Sequence, residues 1–399
     1  MKLKVFDAFA GIGSINTAIN QINKDYKENI LDILAISEWD INANIAYALI
    51  HSKYNIFKLS KYQHKLKLNS MSEVNKLLET KSFSYDGKTS IANSMFKNDL
   101  LKKIIATSFL VNSNYGDIRK LKGDMLDTLH LDVITYNFIP EVMNDFKELL
   151  SQMKNRPKYL FAEALPNLIS KNKTLFLEWI EFLNQLGYVV FTSSQNSKNH
   201  GSIQKKQRTY IYAFDKSLKL PFENEKELDK LILAKGYSLM LERLKSPLSH
   251  YQSVFDLNNN YKEEALSCVI AKTESRANLI KNNPDLSNTD QMIINNGLVE
   301  TLTTKQDRSP NVGTISIKYN LNKKDFYERR LITVREAFKL NGFTDSDYAK
   351  LIPLLDLDLL SKTTLYRLIG NASEIKMLTN SLSVIVDIYN INKKEVNEK

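Results

Sequence analysis

Two glycines at the end of a predicted strand are the first residues of the sequence that suit a ligand. In the segment FDAFAGIG, Phe9 ends an apolar run at residues 3–9, and Gly11 and Gly13 follow it before a helical pattern at residues 15–22. Glycine permits a tight turn and lets a ligand approach the backbone, and the first amides of a helix can bind an anion. Alone this pattern is weak, because many strand-to-helix turns carry two glycines for packing only.

Two acidic residues strengthen the case for a nucleotide-type ligand. Glu38 lies at the end of a second predicted strand, just after its apolar run at residues 31–36, where a carboxylate can accept hydrogen bonds from both hydroxyls of a ribose. Trp39 offers a ring on which adenine can stack, and Asp117 could accept a bond from the adenine amino group at the end of a third strand. The alternative is a surface acid next to a core tryptophan. The three segments together predict a nucleotide-type ligand, but they do not choose a reaction.

Alternating strands and helices must position these residues. The first forty residues read as strand, glycine turn, helix and strand, which is the opening of a doubly wound parallel sheet. Later apolar runs continue the pattern at residues 131–138, 159–162 and 188–191, and residues 208–214 resemble a β-hairpin partner. We therefore predict an α/β fold.

Composition limits the partners and the compartment. A net charge of +10 and a pI near 9.2 favour nucleic acid as a partner, with a lysine-rich surface kept for solubility as the alternative. The single cysteine, Cys268, excludes an internal disulfide and a cysteine-based zinc cluster. It suits a reducing cytosol, and neither a signal peptide nor a membrane-spanning apolar run is found. We expect a cytoplasmic protein with no metal and no membrane partner.

The motifs resemble, in order, those of the DNA (cytosine-5)-methyltransferases. Residues 132–138, DVITYNF, resemble the strand that leads to the family's catalytic Pro-Cys, and residues 159–165, YLFAEAL, resemble the segment with its Glu-Asn-Val. Gln204, Lys206 and Arg208 match the family's Gln-x-Arg-x-Arg with one Lys for Arg, and residues 301–303 resemble the Thr-Leu step of its recognition region. The segment after that region is matched by Arg330, Thr333, Glu336 and residues 342–343, and the closing motif by residues 370–372. The resemblance spans nearly the whole chain.

This resemblance implies a cofactor and a domain plan. It implies a Rossmann-like sheet of the S-adenosylmethionine-dependent methyltransferases, with a second, smaller target-recognition lobe. The sheet would bind S-adenosylmethionine or its product S-adenosylhomocysteine. The cofactor residues would be Phe9, Gly11, Gly13, Glu38, Trp39, Asp117 and Asn371. We expect the methyltransferase-like domain at residues 1–214, the recognition lobe at 215–325 and helices returning to the first domain at 326–399. An insertion at residues 52–114 is similar to that of the CG-site enzymes of wall-less bacteria.

The second lobe and the C-terminal region differ in their patterns. No long periodicity survives at residues 215–324, where short strand candidates dominate, whereas helical periodicity returns beyond Arg330.

The sequence lacks the family's nucleophile at its expected position. Methyl transfer to cytosine C5 needs a thiolate that first adds to C6. Counting from Asp132 puts this position at Pro140, with Ile139 in place of the motif proline, and a shift by one residue gives Glu141. None of these side chains is a thiol. The stretch from Pro140 to Glu163 is also much shorter than in the family, which carries there a mobile loop that closes over the flipped base.

Several residues of the family's base and DNA site remain. Glu163 occupies the position of the carboxyl that bonds the flipped cytosine, although Ala164 and Leu165 replace Asn-Val, so a structural acid is an equal alternative. Gln204, Lys206 and Arg208 could hold phosphates or position a base. Glu163 and Arg208 are the residual catalytic candidates.

We therefore predict a pseudo-methyltransferase that binds double-stranded DNA and serves as a partner of an active methyltransferase or restriction subunit. The rival hypothesis is a working methyltransferase that is completed by another chain or by a displaced nucleophile. A decayed chain that only folds would bind neither cofactor nor DNA.

Overall fold

A computed structural model gives the fold of the chain and describes residues 2–258, 260–271, 273–275, 278, 281, 298–321 and 324–397. The chain forms two compact units. The first comprises Met1–Gln195, Gln207–Ile232 and Leu378–Lys399, and the second comprises Asn196–Lys206 and Leu233–Met377. Part of the predicted recognition lobe, including residues 282–297, lies outside the described residues.

A six-stranded sheet forms the centre of the first unit. Its strands are β1 (Leu3–Ala8), β2 (Leu31–Ser37), β5 (Val133–Asn137), β6 (Tyr159–Ala164), β7 (Tyr188–Asn196) and β8 (Gln207–Asp215). Their order is β2-β1-β5-β6-β8-β7. The first four pair in parallel, and β8 runs antiparallel to β6 with Tyr159 opposite Phe214. The predicted doubly wound α/β sheet and the hairpin partner are confirmed.

Helices cover the sheet and complete its core. They are α1 (Ser14–Asp25), α2 (Ile41–His51), α6 (Gly123–Asp127), α7 (Met143–Gln152), α8 (Pro166–Lys171) and α9 (Lys173–Gln185). Phe146 of α7 and Trp179 of α9 pack in the buried cluster with Ile134 and Leu160 of the sheet. The Trp179 indole N–H donates to the Tyr136 hydroxyl at 3.0 Å, so the largest buried ring also has its polar atom paired.

The segment between β2 and β5 contributes to the core as well. It contains α3 (Leu59–Lys65), α4 (Met71–Glu79), a short hairpin of β3 (Phe83–Ser84) and β4 (Ser90–Ile91), and α5 (Asp99–Val111). On α5, Ile104, Ile105 and Phe109 are almost fully buried.

The expected third strand before Gly116 is wrong. Residues 112–117, all of them described, make a single parallel bridge between Asn114 and Ile36 instead of a strand. Ser113 has a φ of 48°, in the left-handed region, so an extended strand is interrupted at this residue.

The second unit is richer in helices than the sequence pattern indicated. It holds most of α10 (Glu225–Lys245), then α11 (Pro247–Val254), α12 (Lys262–Leu266), the antiparallel pair β9 (Thr314–Leu321) and β10 (Lys324–Leu331), α13 (Val334–Leu340), α14 (Asp345–Ala349), α15 (Ile352–Asp356) and α16 (Lys362–Asn371). The preference for short strands at residues 225–254 was wrong. Apolar residues lie all round α10, with Leu233, Tyr237 and Leu244 exposed, so no single helical face is marked in the sequence.

A buried ion pair organises part of the second unit. Arg330 donates two hydrogen bonds of 2.7 Å to Glu336, whose side chain also accepts from the Thr333 and Asp256 amides. These bonds tie β10 to the start of α13 and to the residues after α11. Because both side chains are buried, each charge depends on the other for compensation.

The final helix returns to the first unit. Helix α17 (Ile375–Asn397) places Asp387 where its carboxylate accepts a 2.6 Å hydrogen bond from the Tyr26 hydroxyl, 361 residues earlier in the chain. Within the described residues, no helix is both long and apolar enough to span a bilayer.

The glycine turn gives a first prediction about stability. A Cβ on Gly13 would lie 2.1 Å from His51 Nε2, which contacts the Ile12 carbonyl oxygen at 2.9 Å, whereas a Cβ on Gly11 meets no atom within 4 Å in the described part of the chain. Both residues have positive φ. We expect Gly11→Ala to lower the free energy of unfolding by about 1 kcal/mol and Gly13→Ala by about 2–4 kcal/mol, since only the second adds a clash. Urea denaturation of both variants checks this, and equal losses would contradict it.

Candidate functional site

The turn after β1 presents its backbone to open space. Phe9, Gly11 and Gly13 all have φ between 55° and 88°, so the chain curls within five residues. The Phe9 and Ala10 amides donate to the Ser37 carbonyl at 2.8 and 3.2 Å, which anchors the turn on the end of β2. Since no other side chain or backbone atom of the described residues lies within 4 Å of a Cβ built on Gly11, a ligand can approach this residue closely.

Glu38 joins this turn to the end of β2. One carboxylate oxygen, Oε2, accepts from the Gly11 amide at 2.8 Å, and Oε1 accepts from the Asp40 amide at 2.7 Å. Burial, and next the charge of Asp40, raise the pKa of Glu38 to about 7. Each oxygen keeps capacity for a second hydrogen bond, so the carboxyl can still receive hydroxyl donors.

Asp7 adds a second buried acid beside Glu38. Its Oδ1 accepts from the Thr135 hydroxyl of β5 at 2.7 Å, and burial raises the pKa of Asp7 to about 7. Like Glu38, it is held partly neutral near pH 7. Asp7 was not predicted as a site residue, although it lies in the same FDAFAGIG segment.

The side chain of Asn114 makes hydrogen bonds that a third strand would otherwise have made to β2. This residue was not predicted from the sequence. Its Oδ1 accepts from the amides of Glu38 and Gly116 at 3.0 and 2.8 Å, and its Nδ2 donates to the Glu38 carbonyl and to Asn44 at 2.8 and 2.9 Å. One side chain therefore fixes the Gly-Asp-Ile segment against the end of β2.

Trp39 and Asp117 come together, as the nucleotide hypothesis requires, but a third residue lies between them. The Trp39 indole N–H donates to the Gly87 carbonyl at 3.1 Å. The Arg119 guanidinium carbon lies 4.3 Å from the centre of the Trp39 ring, and its Nε and Nη2 donate to the two Asp117 oxygens at 2.9 and 2.7 Å. Arg119 was not predicted as a site residue, because its position two residues past Asp117 carries no motif.

The end of β5 shows what occupies the predicted nucleophile position. Pro140 begins a short 3₁₀ turn, Pro140–Val142, and helix α7 begins at the next residue, Met143. Proline suits this first position because it has no amide hydrogen to leave unpaired. Ile139 precedes the turn in an extended conformation, and Glu141 is exposed. The described chain thus passes from strand to helix without a long loop.

Glu163 and Arg208 form a largely buried ion pair on neighbouring strands β6 and β8. Arg208 Nε donates to Glu163 Oε1 at 2.8 Å, and the two side chains are 10% and 11% exposed. Glu163 Oε2 is buried and has no hydrogen-bond partner among the described residues. A buried carboxylate oxygen without a partner is energetically costly, and such an atom can receive a donor from a ligand.

Gln204 and Lys206 lie in the interior of the second unit. Gln204 bonds Asn341 and the Leu302 amide, and Lys206 Nζ donates to the Ala372 carbonyl and lies 3.4 Å from Asn341 Oδ1. Both side chains are fully buried. A contribution of these two residues to DNA binding would therefore be through positioning of the backbone.

Two further residues of interest also lie in the second unit. Asn371 ends α16 and is exposed. Cys268 follows α12, is partly buried, and has its sulfur 4.0 Å from the Tyr366 hydroxyl.

Adjacent lysines test the structural role of Lys206. Lys205 bonds Glu300 at 2.8 Å and is 41% exposed, so Lys205→Met and Lys206→Met remove the same charge from different environments. We expect Lys206→Met to lower the free energy of unfolding by about 2–4 kcal/mol and Lys205→Met by less than about 0.5 kcal/mol. Urea denaturation measures both. A Lys206→Met variant as stable as the Lys205→Met control would contradict the burial of Lys206.

Comparisons with known proteins agree with this architecture. An orphan methyltransferase of Spiroplasma monobiae, M.SssI, is 28% identical over 269 residues, which cover 59% of this chain and 67% of that protein. The type II methyltransferase M2.ScrFI of Lactococcus lactis subsp. cremoris is 28% identical over 229 residues, which cover 52% of this chain and 60% of that protein. The chain thus spans about two thirds or less of the length of these curated relatives.

A solved structure and a family match complete the comparison. The Dnmt2 methyltransferase of S. pombe has a TM-score of 0.63 and 13% identity, with coverage of 98% of this chain and 100% of that one, and this likeness concerns the fold alone. Residues 143–386 match the sequence family described as C-5 cytosine-specific DNA methylase. More than half of the chain lies within this match, and the chain belongs to the C-5 cytosine-specific DNA methylase family.

Proposed function

We propose that this chain binds S-adenosylmethionine, or S-adenosylhomocysteine, together with duplex DNA, and that alone it does not methylate cytosine. Its role would be that of a partner in a modification or restriction system. The observation that carries the proposal is the end of β5, where Pro140 opens a three-residue turn directly before α7.

The chemistry explains why this position matters. The C5 carbon of cytosine becomes nucleophilic only after a thiolate adds to C6, and an enzyme must extrude the base from the duplex to allow this addition. Pro140 has no nucleophile, Ile139 is an alkyl side chain, and the exposed carboxylate of Glu141 is a poor nucleophile toward an aromatic carbon. The short turn also provides no segment that could close over an extruded base and exclude water.

The first unit supports the cofactor part of the proposal. Bound S-adenosylmethionine would supply a methyl group activated by its sulfonium. Gly11 leaves room for the ligand, the buried Glu38 can accept the ribose hydroxyls, and Trp39 with Asp117 offers a ring face and an acceptor for adenine. Phe9 and Gly13 shape the turn, and Asn371 remains a proposed cofactor residue.

The pair of Glu163 and Arg208 supports a retained base site. Arg208 donates to one oxygen of the Glu163 carboxylate and fixes it, while Oε2 stays available to an amino donor such as that of cytosine. The net charge of +10 favours contacts with DNA phosphates.

The same pair favours a second candidate, an active methyltransferase completed by another chain. A base site that retains an unpartnered carboxylate oxygen would serve catalysis if a partner supplied the thiol and the closing loop. The two functions differ in one measurable property, which is methyl transfer by the purified chain.

A covalent trap tests the proposed lack of catalysis. DNA with 5-fluorocytosine captures only enzymes that add a nucleophile to C6 and then transfer methyl. We expect no covalent complex and no tritiated methyl incorporation, because the end of β5 carries no thiol. Ile139→Pro combined with Pro140→Cys should stay inactive, since the three-residue turn remains. A complex formed by the unmodified chain would overturn the proposal, and its loss in Cys268→Ser would identify a displaced nucleophile.

DNA binding has its own test. We expect the affinity for a labelled duplex to fall by about tenfold or more between 50 and 200 mM salt, as counterion release from at least about two phosphates requires. Gel retardation at several salt concentrations measures this. No retardation at the lowest salt, or equal affinity throughout, would remove DNA from the proposed function.

A further inference from the structure

Arg119 satisfies the two groups that the cofactor pocket offers to adenine. Its guanidinium lies over the Trp39 ring at 4.3 Å and donates to both oxygens of Asp117. A guanidinium is planar, stacks on aromatic faces and presents parallel N–H donors along one edge. The amino-bearing edge of adenine has the same combination of a flat face and a donor. The two groups therefore compete for the same partners.

We propose that Arg119 is an internal competitor for the adenine position, and that it must leave Trp39 and Asp117 before the cofactor binds fully. This inference rests on the proposed cofactor pocket and adds to it a residue that sets the affinity. Arg119 lies only two residues after Asp117, so the competitor is always present at a high local concentration.

The surroundings of the three residues indicate which of them moves. Trp39 is fixed by the bond from its indole N–H to the Gly87 carbonyl, in the loop between β3 and β4. The Asp117 side chain is 7% exposed, and its Oδ1 also accepts from the Arg119 amide at 3.1 Å, so the carboxylate is held by the backbone. The Arg119 side chain is 37% exposed, and it can swing into solvent without disturbing the core. Arg119 is therefore the mobile member of the group.

The size of the effect follows from the contacts that Arg119 loses. A partly exposed cation–π contact and a partly exposed ion pair are each modest in water, so their sum lowers affinity by about tenfold. Such a competitor would keep the pocket selective for ligands that can stack on Trp39 and donate to Asp117 together. A fragment with only one of these abilities would fail to displace Arg119.

Calorimetric titration of S-adenosylhomocysteine and S-adenosylmethionine into matched variants tests the proposal. Arg119→Met keeps an unbranched, flexible side chain and removes the guanidinium, and Lys120→Met removes the charge of the exposed neighbour. We expect Arg119→Met to bind both ligands about tenfold tighter than the unmodified protein, with Lys120→Met within about twofold of it. The affinity of Arg119→Lys should lie between those of Arg119→Met and the unmodified protein, because lysine cannot make the bidentate pair with Asp117.

The two ligands separate competition from simple charge repulsion. S-adenosylhomocysteine lacks the sulfonium charge, so tightening of S-adenosylmethionine alone would show repulsion and overturn the proposal. Weaker binding by Arg119→Met, or affinity equal to that of Lys120→Met, would also overturn it. If thermal unfolding shows that all variants are folded but none binds either ligand, the cofactor pocket itself fails and the inference fails with it. Binding by Arg119→Met when the unmodified protein shows none would support the competition strongly.

Discussion

The other residues of the candidate site depend for their positions on the hydrogen bond from the Gly11 amide to the Glu38 carboxylate. It fixes the turn after β1 relative to the end of β2, and the second carboxylate oxygen holds the start of α2 through the Asp40 amide. Asn114 then attaches the Gly-Asp-Ile segment to the backbone of Glu38. Trp39 and Asp117 both contact Arg119, although no third strand carries Asp117. The buried acid is therefore structural as well as available to a ligand.

Much of this arrangement could be predicted because it depends on local sequence. The glycines, the apolar runs and the acid after β2 are short-range features, and they predicted the six strand segments and the doubly wound fold class of the first unit. The single bridge at Asn114 could not be predicted in this way, because it depends on a side chain that replaces backbone pairing. Helix α10 was missed because its apolar residues do not lie on one face.

Burial of polar residues was the least predictable feature. A lysine in a motif that resembles a DNA-contacting one suggests a surface residue, yet Lys206 reaches the Ala372 carbonyl, 166 residues away in sequence, in the interior of the second unit. Arg119 is the opposite case. It is partly exposed and belongs to no motif, yet it contacts Trp39 and Asp117, the two residues assigned to the ligand. In both cases the partner of the cation, rather than its residue type, determines what it does. Such partners are fixed only by the tertiary structure.

The bond between Tyr26 and Asp387 has a consequence for biosynthesis. The first unit includes residues from both ends of the described chain, and 361 residues separate these two partners. At a synthesis rate of about 5–20 residues per second, a ribosome needs about 20–70 s to add that stretch. The first unit therefore stays incomplete while the second unit is being synthesised. During this time the surface that α17 will cover remains exposed. During that interval the nascent chain is more exposed to aggregation and to chaperones than a protein whose core closes in sequence order.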